Sequence, residues 1–275
     1  MSPDYEAEYN NRARVPEHPA IMAGWARDAA AYRDEVGARF LRVPYGPSDR
    51  QSIDLFRPET KQVETLVVFV HGGYWQALDR SFFSHLARGL NALGVTVALP
   101  GYDLCPQVRV GEIVAQIREA CRALATESPR LVVAGHSAGG HLAACMLATD
   151  WTKLDSALPA DFVRAAYSLS GLFDLKPLVS TTINKALDLS EAEAERLSPL
   201  RWDPPRGLTL EAVVGGEESS EYLRQSRSIA ERWGEAGVAT RYEAVPGANH
   251  FTVIAPLADP ASAMTARLAG LARGA

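Results

Sequence analysis

The run LVVAGHSAGGHLAACML at residues 131–147 decides the fold. Residues 131–134 form a short apolar segment rich in valine, which is typical of a strand buried on both faces. Ala138–Leu147 is rich in alanine and leucine and has helical character. Between them, the letters GHSAG at residues 135–139 leave room for only one sharp turn. The run therefore predicts a strand–turn–helix unit.

Ser137 stands at the centre of that turn. Glycines two residues before it and two after it fit the pattern G-x-S-x-G, in which a tight turn lifts a serine hydroxyl clear of the sheet. The position also lies at a helix N-terminus, where free N–H groups and the helix dipole favour developing negative charge. A glycine-rich turn with an N-capping serine would have the same letters. Ser137 is therefore a candidate nucleophile that needs support from the rest of the chain.

Outward from this unit, apolar strand segments alternate with helical ones. Such alternation implies a mostly parallel central sheet with helices on both faces, an α/β fold. Two weakly alternating segments, residues 41–45 and 52–56, predict a hairpin at the sheet edge. The other predicted strands are residues 66–70, 95–99, 165–169, 210–214 and 240–244, and the predicted helices are residues 81–93, 110–125, 220–233 and 256–271.

Two segments lie outside the alternation. Residues 19–40 have helical spacing and predict an N-terminal helix that packs on the outside or near the mouth of the site. Residues 172–206 contain four prolines and helical pieces but no strand. Because this insertion follows a strand, we expect it to form a small helical cap over the pocket. All 275 residues are expected to form one α/β domain.

A second glycine motif follows the predicted strand at residues 66–70. His71-Gly72-Gly73 comes directly after this apolar run, and two glycines let backbone N–H groups approach a substrate oxygen closely. Acyl transfer needs such donors around the oxyanion of the tetrahedral intermediate. The expected donors are the N–H groups of Gly72, Gly73 and Ala138. A plain turn after a strand is the alternative, but two such motifs in this order favour an oxyanion hole.

Ser-His-acid chemistry also needs a base and a carboxylate, which follow the serine in the order acid, then histidine. His250 lies well downstream of Ser137, in a loop after the last predicted strand, and is the predicted base. Three carboxylates are candidates for the acid, namely Glu218 first, Glu217 second and Asp174 third. Asp174 would equally serve as a helix cap. These motifs, in this order, predict the α/β-hydrolase fold.

The composition excludes several other classes of protein. The net charge is −5 and no basic cluster is present, so nucleic acid is not an expected partner. Three cysteines without CxxC spacing indicate neither a disulfide framework nor structural zinc, and no metal or organic cofactor is indicated. With no secretory signal and no membrane-spanning run, we expect a cytoplasmic protein with a small-molecule substrate. A homodimer is left open.

The motifs resemble those of the kynurenine formamidase (arylformamidase) family, close to the HGG-motif esterases. The similarity extends from about Tyr45 onward, and the block after the sixth strand is its most diagnostic part. The resemblance implies Ser137, Glu218 and His250 as the triad, although the family usually has aspartate where Glu218 stands. The matching segments are HGGYWQ at residues 71–76, GHSAGGHLA at 135–143, SGLFDLKPLV at 170–179, ESSEYLRQS at 218–226 and NHF at 249–251.

The resemblance implies a serine hydrolase that works through an acyl-enzyme and cleaves an aryl formamide such as N-formylkynurenine. A carboxylesterase acting on short-chain esters is the alternative, and a hydrolase-fold protein retained only for binding is a third reading. An aryl leaving group needs a flat apolar wall, for which Tyr74, Trp75, Leu172 and Phe173 are the candidates. Trp75 is equally typical of a core residue.

Overall fold

The computed structural model describes residues 3–274, and its centre is one eight-stranded sheet. The strands lie in the order β1-β2-β4-β3-β5-β6-β7-β8. Strand β2 is antiparallel to both β1 and β4, and all the other pairs are parallel. The strands are β1 (Phe40–Pro44), β2 (Ser52–Phe56), β3 (Leu66–Val70), β4 (Val97–Pro100), β5 (Leu131–His136), β6 (Val163–Leu169), β7 (Thr209–Gly215) and β8 (Ala239–Val245).

Helices cover the two faces of the sheet and its carboxyl edge. They are α1 (Tyr5–Tyr9), α2 (Asn11–Arg14), α3 (His18–Val36), α4 (Ala87–Ala92), α5 (Val110–Ala123), α6 (Ala138–Leu147), α7 (Trp151–Leu154), α8 (Asn184–Leu187), α9 (Glu191–Arg196), α10 (Ser220–Glu235) and α11 (Ala263–Arg273). In the described chain no helix is both long enough and apolar enough to cross a membrane.

The inner strands of the sheet are buried on both faces, as their apolar runs predict, while the edge strands β1 and β8 are more exposed. In β3, Leu66, Val68 and Val70 contribute to one apolar cluster, while Val67 and Phe69 contribute to the other. Alternate residues of a strand point to opposite faces, so a run without polar residues must be covered twice. The α/β-hydrolase prediction is confirmed, and so is the edge hairpin, in which Val43 of β1 lies opposite Ile53 of β2.

Two predicted helices are shorter than expected. Residues 81–93 form two 3₁₀ turns before α4 begins at Ala87. Residues 256–271 start as a 3₁₀ turn, Ala255–Ala258, and α11 begins only at Ala263. Asp259-Pro260 interrupts the second helix because proline disfavours the helical conformation of the residue before it. Ser262 then caps α11 by accepting a hydrogen bond from the Thr265 N–H group.

Three segments lie outside the alternation of strands and helices, namely residues 172–206, helix α3, and the pair α1 and α2. Residues 172–206 contain α8, α9 and two 3₁₀ turns, with no strand. Helix α3 covers most of the helix predicted at residues 19–40, starting one residue earlier and ending at Val36. Helices α1 and α2 precede it and were not predicted. Residues 1, 2 and 275, which the single-domain prediction also included, lie outside the described residues.

Candidate active site

Ser137 lies in the turn between β5 and α6. Its backbone has φ of 57° and ψ of −118°, an unusual conformation for a residue with a side chain. Strain of this kind persists only where the surrounding structure enforces it. Here β5 and α6 hold the turn from both sides, and the serine becomes the N-cap residue of α6. The side chain is almost completely buried.

The glycines of the turn are required by close backbone contacts. A Cβ atom on Gly139 would overlap the carbonyl oxygen of Val70, and one on Gly135 would overlap the carbonyl oxygen of Gly139. Neither obstacle is the end of a flexible side chain, so the backbone itself would have to move. Both glycine positions of the G-x-S-x-G pattern thus have a steric reason in this structure.

The loop after β3 lies directly against this turn. A Cβ atom on Gly72 would come within 2.9 Å of the Ser137 Cβ atom, and Gly73 has a φ of 114° that favours glycine. Among the described residues, no hydrogen bond is recorded from the N–H groups of Gly72, Gly73 or Ala138. All three donors of the predicted oxyanion hole are therefore available to a ligand.

His71 stabilises this loop from the core side. Its Nδ1 atom lies 2.8 Å from the Gly72 carbonyl oxygen, and its ring stacks on Tyr102 at 4.2 Å between centroids. The Tyr102 hydroxyl donates to the His71 carbonyl oxygen at 2.9 Å. Burial lowers the pKa of His71 to about 4, so the ring is neutral at pH 7. This histidine braces the loop.

His250 and Glu218 form a buried pair at the ends of β8 and β7. The His250 Nδ1 atom lies 2.6 Å from Glu218 Oε2. The other carboxylate oxygen, Oε1, accepts from the Ser170 hydroxyl and, at 2.7 Å, from the Gly215 N–H group. Three donors thus hold the carboxylate in one orientation. A donor at Nδ1 leaves the Nε2 atom of the His250 ring as an acceptor.

The other two candidate acids do not reach His250. Glu217 is exposed, although it is the immediate neighbour of Glu218. Asp174 is half-buried, and its side chain accepts one recorded hydrogen bond, from the Lys176 N–H group at 3.4 Å. Of the three carboxylates, the structure brings only Glu218 into contact with the histidine.

Ser137 and His250 open onto one cavity of about 420 Å³. This volume suits a small organic molecule, because ligand pockets commonly measure 300–1,000 Å³. The described residues include no hydrogen bond between the Ser137 hydroxyl and the His250 ring. Such bonds are commonly long in a free enzyme and shorten when substrate binds.

Comparison with known proteins identifies the family. A family model described as alpha/beta hydrolase fold matches residues 67–254, which span β3, the Ser137 turn and the His250 loop. The chain belongs to the α/β-hydrolase family.

Relatives within this family are kynurenine formamidases. One from Danio rerio is 32% identical over 267 residues, covering 94% of this chain and 87% of the relative. Another from Drosophila melanogaster is 31% identical and covers 91% of this chain and 90% of the relative. The solved structure of a candidate thioesterase from Silicibacter sp. TM1040 is 38% identical, has a TM-score of 0.86, and covers 96% of this chain and 98% of its own. The predicted resemblance is confirmed, and the chain is a hydrolase.

The predicted aromatic wall of this hydrolase is largely wrong. Tyr74 lines the cavity, but Trp75, Leu172 and Phe173 are fully buried away from it. Tyr74 and Trp75 are adjacent, and the loop sends one side chain to the cavity and the other into the core. There the Trp75 ring contacts His141 edge to face at 5.1 Å between centroids. Leu172 and Phe173, the first two residues of the residue 172–206 segment, join the same core cluster.

Other apolar side chains form the wall instead. Trp25 and Phe251 lie 6.0 Å apart between ring centroids, with an angle of 33° between their planes. Helix α3 supplies Trp25, and the residue immediately after His250 supplies Phe251. The helical spacing of residues 19–40 predicted that this helix lies near the site, but not which side chains face it. The remaining apolar lining residues are Met22, Ala77, Leu78 and Ile183.

Several polar residues of the site were missed by reasoning from sequence. Ser170 orients Glu218, and its position directly after β6 was the available signal. Tyr222, in the first turn of α10 and four residues after Glu218, packs its ring 4.7 Å from that of His250. Tyr9 and Asn11 come from α1 and α2, respectively, where no periodic pattern marks a contact with residues more than 200 positions away.

Proposed function

We propose that this hydrolase cleaves aryl formamides through a formyl-enzyme intermediate, with Ser137 as nucleophile, His250 as base and Glu218 as the acid that orients it. The observation that carries the proposal is the Glu218–His250 pair at 2.6 Å, on the same cavity as Ser137 in its strained turn. A buried, fully hydrogen-bonded carboxylate behind a histidine is the arrangement that serine hydrolysis requires.

The proposed reaction begins with proton transfer from Ser137. Because Glu218 accepts from Nδ1, the free Nε2 atom of His250 can take the hydroxyl proton as the serine oxygen attacks the formyl carbon. The same proton then passes from Nε2 to the leaving nitrogen, the C–N bond breaks and the aryl amine departs. Water, activated by His250, attacks the formyl ester and releases formate.

Charge that develops on the carbonyl oxygen needs stabilisation in both steps. The N–H groups of Gly72, Gly73 and Ala138 are the proposed donors, because Gly72 lies against Ser137, Ala138 follows it in the chain, and the three groups make no hydrogen bond within the described residues. Donors fixed by the backbone need no reorganisation when charge appears, which is the main advantage of an oxyanion hole.

The choice of an aryl formamide rests on the cavity and on the relatives. A formyl group needs almost no acyl pocket, while an aryl group needs a flat apolar surface, and Trp25 with Phe251 supplies one. Homologues named kynurenine formamidase, similar over nearly the whole chain, support N-formylkynurenine as the type of substrate. Residues 172–206 contribute Thr182 and Ile183 to the cavity, which supports the proposal that this segment is a cap on a single domain.

A short-chain carboxylesterase is the second candidate. Serine attack and oxyanion binding do not depend on whether nitrogen or oxygen leaves, so the same site would cleave activated esters. A binding protein without turnover is the third reading, and the complete set of reactive groups argues against it. A cytoplasmic location, a small-molecule substrate and self-association as a homodimer remain predictions.

The substrate is tested by comparing kcat/KM for N-formylkynurenine and p-nitrophenyl butyrate with the same enzyme preparation. We expect the formamide to be the better substrate. An ester preference of several orders of magnitude would instead support the carboxylesterase. Absence of turnover with both, in a folded protein, would support the binding protein.

A further inference from the structure

A line of hydrogen bonds joins the N-terminal segment (residues 5–14) to the oxyanion loop and α10. The Tyr74 hydroxyl lies 2.7 Å from the Tyr9 carbonyl oxygen and 2.7 Å from the Tyr222 hydroxyl. The Asn11 side-chain amide lies 3.0 Å from the same Tyr222 hydroxyl. This line runs beside the reactive groups, because the Tyr222 ring packs 4.7 Å from the His250 ring and Tyr74 lines the same cavity as Ser137.

The hydroxyl protons of Tyr74 and Tyr222 allow the hydrogen bonds of this line to run in only one direction. Burial raises the pKa of both Tyr74 and Tyr222 well above the ordinary value, so each hydroxyl carries one proton at neutral pH. Tyr74 must donate its proton to the Tyr9 carbonyl oxygen, which can only accept. The Tyr222 proton must therefore go to Tyr74, and Tyr222 accepts from its other neighbours. The Asn11 atom that faces Tyr222 is consequently the NH₂ group.

This direction leaves the Asn11 carbonyl oxygen, Oδ1, free. No described residue donates a hydrogen bond to Oδ1. The atom is also not fully enclosed by protein, unlike the buried polar atoms that lack a partner. The side chain is 5% exposed and lines the cavity that also holds Ser137 and His250. The enzyme therefore presents to the cavity an acceptor whose orientation is set by the three residues behind it.

We infer that Asn11 determines the preference for amides over esters, because its Oδ1 atom accepts a hydrogen bond from the N–H group of the scissile amide. The inference rests on the proposed formamidase function and concerns the same site. An ester has oxygen in this position and offers no proton, so it gains nothing from Asn11.

Amide cleavage has a specific need for such an acceptor. In the tetrahedral intermediate, the nitrogen lone pair must point towards His250 to receive the proton that allows the C–N bond to break. The N–H bond then points away from His250 into the cavity, where it needs a partner. Asn11 forms no covalent bond and transfers no proton in this step. A hydrogen bond that strengthens as the nitrogen becomes pyramidal acts on the transition state and raises kcat.

Other acceptors in the cavity are occupied or not held in place. The Glu6 carboxylate oxygens accept from the Thr182 N–H and hydroxyl groups at 2.7 and 2.6 Å. The Asn10 side-chain oxygen accepts from the Ala13 N–H group. Gln76 lines the cavity without a recorded side-chain hydrogen bond among the described residues, so nothing fixes its orientation. Asn11 alone in this group combines a free acceptor with a fixed direction.

The test uses three substrates that share a formyl group and a phenyl ring. Formanilide has the scissile N–H group, phenyl formate replaces it with oxygen, and N-methylformanilide is an amide without the proton. The values of kcat/KM, corrected for spontaneous hydrolysis, are compared for the wild type, Asn11→Leu and Asn11→Asp. Leucine has a similar shape but no acceptor, whereas aspartate keeps one.

We expect Asn11→Leu to lower kcat/KM for formanilide by about tenfold, the size of one hydrogen bond, with the loss in kcat. Phenyl formate and N-methylformanilide should change by less than about threefold, whereas Asn11→Asp, which keeps an acceptor but cannot donate to Tyr222, should recover only part of the formanilide rate. Equal losses on all three substrates would overturn the inference and leave Asn11 with a purely structural role. A wild type that cleaves phenyl formate but not formanilide would instead overturn the formamidase proposal, and the inference with it.

Discussion

The two walls of the cavity are built by different means. On one side, loops at the carboxyl ends of parallel strands carry Ser137, Glu218 and His250, and backbone contacts that only glycine permits hold the Ser137 turn. On the other side, the N-terminal segment has no strand to support it. Side-chain hydrogen bonds attach it, as when Glu8 accepts from the Ser220 hydroxyl and the Glu221 N–H group at the start of α10.

The difference separates reaction from recognition. The strand-end wall holds the proposed reactive groups within tight steric limits, because every parallel strand ends at the same edge of the sheet. The N-terminal wall supplies Asn11 and part of the enclosure through separate side-chain hydrogen bonds. Substitutions in the strand-end wall should therefore lower the rate with every substrate, whereas substitutions in the N-terminal wall should change substrate binding or, at Asn11, the rate with amides alone.

The largest effect is expected for Glu218→Gln. The glutamine oxygen would keep the Ser170 and Gly215 donors, which turns its NH₂ group towards His250 Nδ1 and forces the other tautomer, with Nε2 protonated. That tautomer cannot accept the Ser137 proton, so kcat should fall by about 10⁴-fold, as for the corresponding amide substitution in a serine protease.

Glu217→Gln is the matched control, one residue away and exposed. We expect its kcat to stay within about twofold of the wild type, because surface substitutions usually have small effects. Similar small losses in both variants would transfer the role of acid to Asp174.

A smaller effect is expected for Gly139→Ala in the Ser137 turn. The added Cβ atom would overlap the Val70 carbonyl oxygen, and the backbone shift would misplace Ser137. The free energy of unfolding should fall by about 3 kcal/mol and kcat/KM by about 100-fold, as measured by denaturant unfolding and steady-state kinetics.

Gly270→Ala tests whether this loss comes from the turn or from glycine replacement in general. Gly270 lies in α11 with open space where a Cβ atom would stand. Alanine there should stabilise the protein by about 0.5–1 kcal/mol and leave kcat/KM unchanged. If Gly139→Ala were equally harmless, the steric account of the turn would fail.

The smallest effect is expected for Glu6→Ala in the N-terminal wall. This removes both hydrogen bonds to Thr182 and weakens the attachment of residues 5–14 to the residue 172–206 segment. We expect faster amide hydrogen exchange in residues 5–14 and a rise in KM of about threefold, with kcat nearly unchanged, because each bond contributes only about 1 kcal/mol.

Glu17→Ala provides the comparison for this variant. Glu17 is exposed, and within the described chain its side chain makes no recorded hydrogen bond. Its substitution should alter neither hydrogen exchange nor KM. A loss of kcat/KM in Glu6→Ala as large as that in Gly139→Ala would show that the two walls do not differ as proposed.

The strand-end wall could be predicted from the sequence far better than the N-terminal wall. Buried parallel strands and glycine motifs leave local signals, so the sheet, the Ser137 turn and the His71 loop could be located from short patterns. Sequence patterns alone left Glu217, Glu218 and Asp174 as candidate acids. Glu217 and Glu218 are adjacent, and only the path of the backbone decides which of the two carboxylates turns towards His250. The triad roles themselves stay predictions until the reaction is measured.

The N-terminal wall has no such local signal in the sequence. Asn11 pairs with Tyr222 across 211 positions, and neither residue belongs to a motif that indicates the contact. The aromatic wall failed for a related reason. The side chains of Trp75 and Phe173 suit either a pocket wall or the core, and only the path of the backbone decides which of the two places they occupy. Trp25 and Phe251 were available in the sequence, but no periodicity directs them to the cavity.

The central claim is that Ser137 is the nucleophile, and covalent labelling tests it most directly. A fluorophosphonate reacts with a serine that a neighbouring base activates, and peptide mass spectrometry then locates the modified residue. We predict stoichiometric labelling of the folded wild type on Ser137 and none of Ser137→Ala. Labelling that persists in Ser137→Ala, or that falls on another residue of the wild type, would contradict the account.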